Sequence, residues 1–176
     1  SCAEPVDCPW GERCAPETST CTTDPGAFTA APNLSLPDLN ENSATHGQAV
    51  TLSAQHGLVT VVYFGYASCS ICWQQVARLQ GLLERLAGAG TPGATAMIVN
   101  DSRVEDWVPM MARVTRLPIL QDEEGNPTWS LFGADKDTFL VIDGNGFLRA
   151  RFDPLYIYAE SGDMDALEQA ILAAVH

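Results

Sequence analysis

Leu58-Val59-Thr60-Val61-Val62-Tyr63-Phe64-Gly65, followed after Tyr66-Ala67-Ser68 by Cys69-Ser70-Ile71-Cys72, is the stretch on which the fold of this chain turns. Its first eight residues are nearly continuous, β-branched and aromatic, the composition of a central strand buried on both faces rather than an alternating edge strand. Behind Cys72 the period changes. Val76, Leu79, Leu82, Leu83 and Leu86 recur at helical spacing, with Gln75, Arg78, Gln80, Glu84 and Arg85 between them, and Gly88 and Gly90 end the run. Cys69 therefore stands at a strand-to-helix junction, where unpaired N–H groups and the positive end of the helix favour a thiolate and lower a thiol pKa. Two thiols at this spacing make a redox switch: the first attacks a substrate and the second, one turn behind, resolves the mixed disulfide.

The plainer readings of the pair are a structural disulfide and half of a zinc site. Zinc needs further Cys or His ligands. The other cysteines lie far upstream at Cys2, Cys8, Cys14 and Cys21, and the histidines are His46, His56 and His176, none of them near in sequence. No metal and no organic cofactor is expected.

Further elements can be read outward from the motif. Leu34–Leu36 and Val50–Leu52 read as two short strands of a hairpin joined by the polar loop 40–47, and Ala94–Asn100 reads as a strand parallel to the one before the motif. Val104–Val114, with Trp107, Val108, Met111 and Val114 on one side, reads as a helix interrupted by Pro109. Phe139–Asp143 and Phe147–Asp153 flank Gly144-Asn145-Gly146, a hairpin signal, and Asp163 and Asp165 open a last helix carrying Leu167, Ala170, Ile171, Ala174 and Val175. Asp143-Gly144-Asn145-Gly146 has the look of a calcium loop, but Phe147 follows where an oxygen ligand is wanted, so a tight turn is expected. Asp122-Glu123-Glu124 reads as a solvated acidic loop.

The chain has 176 residues, 46% hydrophobic and 18% charged, enough for one ordinary core and a small appendage. A net charge of -13 argues against nucleic acid, heparin-like polymers and anionic membrane surfaces as partners. No stretch approaches a membrane span, and no charged-then-apolar leader opens the sequence, so any signal peptide is expected to have been removed. Residues 1–31 read as a separate cysteine-rich segment, with residues 32–176 as the main domain. Cys2, Cys8, Cys14 and Cys21 sit among Pro5, Pro9, Gly11 and Pro16 with almost nothing apolar between them, so this segment holds shape only if stapled by disulfides. Of the three pairings, Cys2 with Cys14 and Cys8 with Cys21 is the working choice, although sequence alone does not select it. Disulfides imply an extracytoplasmic protein: secreted, periplasmic or on the cell surface. A rival reading makes Cys2 a lipid-anchored first residue, at the cost of an odd cysteine upstream.

Strand, redox helix, strand, helix, antiparallel hairpin and final helix is the order of an α/β thioredoxin-like fold, a central mixed sheet flanked by helices, here with an N-terminal β-hairpin extension. Ala67-Ser68-Cys69-Ser70-Ile71-Cys72, Ala77-Arg78-Leu79, Ile98-Val99-Asn100, Pro118 with Gln121-Asp122-Glu123-Glu124, Trp129-Ser130-Leu131 and Lys136-Asp137-Thr138-Phe139-Leu140 together resemble the N-terminal domain of selenoprotein P, from about Val59 onward. The position matching Cys69 commonly holds selenocysteine in that family, so the resemblance assigns the attacking role to Cys69 and implies a selenol alternative there in the natural protein. Ordinary thioredoxins carry a cis-proline before the strand beginning near Thr138. This chain resembles the selenoprotein P family in having Lys136-Asp137 instead. Lys136 would favour a nearby thiolate and Asp137 oppose it, but the expected role of both is a solvent-exposed turn. The selenocysteine-rich tail and histidine-rich segments of vertebrate selenoprotein P have no counterpart here, so selenium delivery is not implied.

The expected activity is reduction of a disulfide or a hydroperoxide by Cys69 and Cys72, with an external thiol reductant closing the cycle. Ser70, Ile71, Trp73, Lys136 and Asp137 are the candidate pocket residues. The contrasting expectation is a non-enzymatic binding or adhesion module in which Cys69 and Cys72 form only a staple.

Overall fold

The structure, a computed structural model, describes residues 2, 8–15, 17–22, 29–90, 93–158 and 162–175. In chain order the strands are β1 (Arg13–Ala15), β2 (Thr20–Thr22), β3 (Thr29–Ala30), β4 (Ser35–Pro37), β5 (Ala49–Thr51), β6 (Val59–Gly65), β7 (Ala94–Asn100), β8 (Ile119–Gln121), β9 (Thr138–Ile142) and β10 (Phe147–Phe152). The α-helices are α1 (Ser70–Gly88), α2 (Val108–Ala112), α3 (Pro127–Phe132) and α4 (Asp163–Ala174).

The central sheet runs β3-β10-β9-β6-β7-β8. β6, β7 and β8 are parallel, while β9 lies antiparallel to β6 on its other side and β10 antiparallel to β9. Every residue of β6 is buried. Val59, Val61 and Tyr63 face a core shared with Val76, Leu79 and Leu82 of α1 and Leu167 and Ile171 of α4. Val62 and Phe64 face the opposite core, with Leu36, Val50 and Leu52 from the β4–β5 side and Trp129 and Phe132 of α3. That two-sided burial is why the strand reads as an unbroken apolar run. Fully burying a Leu or Val contributes about 1.5–3 kcal/mol, so the apolar face of α1 supplies much of what fixes the helix behind the motif. Pairing of Ser35 with Thr51 and of Pro37 with Ala49 realises the expected hairpin ahead of β6.

Several expectations need correction. The segment expected as a broken helix is a 3-10 turn, Ser102–Trp107, followed by α2. Pro109 lies in the first turn of α2, where a missing N–H costs nothing, so it starts the helix rather than breaking it. Val108 and Met111 are buried, but Trp107 and Val114 face solvent. Asp122 is also buried, because its carboxylate accepts from the N–H groups of Thr128 and Trp129 and caps α3; Glu123 and Glu124 alone are solvated. The 143–146 loop is a turn in which Asp143 Oδ1 accepts from the N–H groups of Asn145 and Phe147.

In the N-terminal segment Cys2 is bonded to Cys14 and Cys8 to Cys21. The Cys2 sulfur is thus held in a bridge, at odds with the lipid-anchored reading. The segment packs on the β9–β10 turn: Gly11 N–H donates to the Asn145 carbonyl at 2.7 Å, and the Trp10 indole lies against Gly146. His56 Nε2 is 2.7 Å from the Cys8 carbonyl, which engages that ring away from the redox pair. β3 joins the central sheet through β10, so Thr29 and Ala30 connect the two parts of the chain. Among the described residues no helix is long and apolar enough to cross a membrane.

Candidate active site

The end of β6 sets the site. A Cβ on Gly65 would lie 2.5 Å from Tyr63 Cε1, so glycine there leaves room for the phenol to fold back along the strand end. The following loop is pinned from both sides. Ala67 N–H donates to Asn100 Oδ1 at 2.8 Å, Asn100 is held by Gln121 of β8, and Trp73 Nε1 donates to the Ala67 carbonyl at 2.6 Å. Trp73 therefore braces the motif through its indole N–H.

Cys69 is the N-cap of α1, with extended backbone, and its Sγ accepts from the Cys72 N–H at 3.4 Å. The sulfur takes the place usually filled by a serine or aspartate oxygen, which aims it at the positive end of the helix. Both residues carry free thiols, Cys69 half-buried and Cys72 without exposed surface. Burial pushes the Cys72 thiol up to about 12, with a hydrogen bond to Cys69 adding to the rise and one to Tyr63 opposing it. Ser70 and Ile71 lie exposed between them.

The Lys136-Asp137 turn differs from its expected solvent-exposed form. The Lys136 side chain is 37% exposed, whereas that of Asp137 is only 3% exposed and turns inward. Asp137 adopts a left-handed backbone, φ +71, that aspartate tolerates better than most residues. Its N–H donates to the Phe64 carbonyl at 2.9 Å and its carbonyl accepts from Leu155 N–H at 3.0 Å, fixing it between the ends of β6 and β10. Asp137 Oδ1 accepts from the Tyr63 hydroxyl at 2.9 Å, Gln75 Nε2 at 3.0 Å and, at a longer 3.9 Å, Cys72 Sγ. Oδ2 pairs with Lys136 Nζ at 3.0 Å. Burial, then the neighbouring Cys72 and Asp137, raise the Tyr63 phenol well above its ordinary value. Burial works against the Lys136 charge, but Asp137 and the two thiols outweigh it and raise that pKa.

Tyr63 and Gln75 are site residues that sequence reading missed. Gln75 carried a signal: it lies three residues after Cys72 and four before Leu79, on the buried face of the helix. Among the described residues the one grouping with metal-like spacing is Cys2, Cys8 and Cys21, whose sulfurs are all held in disulfides.

Residues 45–171 match the family described as selenoprotein P, N terminal region. The chain belongs to this family. The match runs from the loop before β5 into α4 and leaves the disulfide-linked segment outside it. Selenoprotein Pb of Danio rerio is 35% identical over 97 residues, 52% of this chain and 37% of that protein. Selenoprotein P of Bos taurus is 33% identical over 98 residues, 53% of this chain and 24% of that protein, so the chain matches well under half the length of either relative. Among solved structures, a protein from Chlorobium tepidum assigned to the thiol:disulfide interchange protein DsbE superposes with a TM-score of 0.65 at 26% identity, covering 85% of this chain and 97% of that one. The thioredoxin-like fold is therefore shared well beyond the family.

Proposed function

We propose that this protein is an extracytoplasmic thiol oxidoreductase in which Cys69 is the nucleophile and Cys72 the resolving thiol. One observation carries the reading: a half-buried Cys69 sulfur caps the helix while a fully buried Cys72 waits one turn behind it. The Cys69 thiolate attacks a substrate disulfide, forming a mixed disulfide and releasing one thiolate; Cys72 then displaces the second and leaves a Cys69–Cys72 disulfide for an external thiol to reduce. A hydroperoxide makes the same demand. Cys69 takes its terminal oxygen as sulfenic acid, and Cys72 condenses with that, releasing water. Likeness to the DsbE-assigned protein supports disulfide exchange as the main activity. Selenocysteine at position 69 of the natural protein would perform the same step with a more readily ionised atom. The two disulfides of the N-terminal segment support an oxidising compartment.

Turnover of a peroxide and of a disulfide should be compared for the parent, Cys69→Ser and Cys72→Ser. The reading expects no turnover from Cys69→Ser and a trapped mixed disulfide from Cys72→Ser. Equal rates for parent and Cys69→Ser would rule out the nucleophile. A reduction potential below about -300 mV without accelerated alkylation at Cys69 would instead mark the pair as a structural staple.

A further inference from the structure

The buried cluster beneath Cys72 assigns a route for the proton that resolution must remove. Resting on the two-thiol reading above, we propose that Asp137 is the proton acceptor for Cys72, with Tyr63 stabilising the resulting thiolate and Lys136 holding the carboxylate in position.

Resolution needs a thiolate, and Cys72 does not supply one unaided. Its burial raises the thiol above its ordinary value, so little of it is ionised at neutral pH. Asp137 Oδ1 is positioned to receive the proton, 3.9 Å from Cys72 Sγ and held by Tyr63 and Gln75. The titratable groups facing this carboxylate are Tyr63 from β6, Cys69 and Cys72 from the start of α1, and Lys136 from the turn before β9; Gln75 and the Leu155 backbone add neutral partners. None of the others is a ready base at neutral pH, since Tyr63 and Lys136 both hold their protons more firmly than usual and Cys69 is already bonded to substrate.

The step balances. The Cys69–S–S–R mixed disulfide, the Cys72 thiol and the Asp137 carboxylate give the Cys69–Cys72 disulfide, the RS⁻ thiolate and the Asp137 carboxylic acid. The two protein sulfurs are oxidised as the substrate disulfide is reduced. While Asp137 is charged, the Tyr63 hydroxyl donates to it. Once Oδ1 takes the proton, that hydroxyl is free to turn toward the Cys72 sulfur, its neighbour on the same carboxylate oxygen. Lys136, the only lysine in the sequence, pairs with Oδ2 at 3.0 Å and so holds the carboxylate with Oδ1 turned to Cys72 and Tyr63.

The test is a single-turnover reaction with a chromogenic aromatic disulfide, whose thiolate leaves without protonation, on the whole chain with the redox pair reduced and the N-terminal disulfides intact. The parent should release two equivalents in two phases, first for attack by Cys69 and second for resolution. Asp137→Asn keeps a residue suited to the left-handed backbone. It should retain a first phase and slow the second by about 100-fold or more at pH 7, with the rate rising about tenfold per pH unit toward pH 9 as hydroxide replaces the lost base. Tyr63→Phe, which removes the hydroxyl that would stabilise the thiolate, should slow the second phase by about tenfold and decides the matter if Asp137→Asn does not fold. Second phases within about threefold of the parent, with its pH profile, would overturn the proposal. A parent without a rapid first phase would overturn the two-thiol reading itself.

Discussion

Gln75 of α1 accepts a hydrogen bond from the Ile157 N–H at 2.8 Å, joining residues 82 positions apart, while its Nε2 donates to the Leu155 carbonyl at 3.1 Å. All three residues are buried, so no bulk water stands by to replace these bonds. Gln75→Leu keeps the volume but leaves the Ile157 N–H and Leu155 carbonyl unpartnered, at about 1–3 kcal/mol each, and takes one donor from the buried Asp137 carboxylate. The expected loss is about 2–6 kcal/mol, read as a lower denaturation midpoint with an unchanged slope. A loss below about 0.5 kcal/mol would mean that the loop after β10 does not depend on this side chain.

Gln75 also shows where sequence reading stops. The strand, the motif and α1 were legible because period and composition are local properties, and β6 is apolar throughout for the simple reason that both faces are covered. Asp137 was not. Locally Lys136-Asp137 has the chemistry of a turn, and it does form one; what sends the carboxylate inward is Tyr63, 74 residues away, together with Gln75 and Cys72. β8 and α3 escaped for another reason: at three and six residues they are too short to show a period, and their stability comes from edge pairing with β7 and from the Asp122 cap.

The reduced site should make the protein labile to alkali. An unfolded cysteine ionises near 9, whereas folded Cys72 holds its proton to about 12 because it is buried and bonded to Cys69. The folded chain therefore binds more protons than the unfolded chain across that window. The stability this group supports is complete below pH 9 and lost as pH rises toward 12, at up to about 1.4 kcal/mol per pH unit. Tyr63 and Lys136, both raised, act in the same direction from a higher starting pH. Oxidising the pair removes the Cys72 contribution, so denaturation midpoints should fall more steeply between pH 9 and 11 for the reduced protein than for the oxidised one. Parallel curves would contradict the buried-thiol account.

The docking of the N-terminal segment rests on a close approach. Gly146 has φ +89, and a Cβ there would run into the Trp10 indole. Gly146→Ala should cost about 1–3 kcal/mol from backbone strain and displacement of the indole. Tryptic cleavage after Arg13 should accelerate with it. In a Trp10→Ala background the steric part of that cost should disappear, and purely additive effects would show that the indole does not press on the turn.

Gly65 provides a way to disturb the phenol without replacing any polar group of the site, since a Cβ there would press on the Tyr63 ring and its hydroxyl. Gly65→Ala would place a methyl 2.5 Å from Tyr63 Cε1, and the ring is hemmed in on its other side by Phe139, with centroids 4.5 Å apart. Overpacking of this kind costs about 1–3 kcal/mol, and the ring can relieve it only by moving its hydroxyl away from Asp137. A double-mutant cycle separates the two residues: in a Tyr63→Val background Gly65→Ala should be close to neutral, because the methyl then meets space left by the ring. Equal destabilisation in both backgrounds would place the need for glycine in the backbone itself and not in the packing of Tyr63.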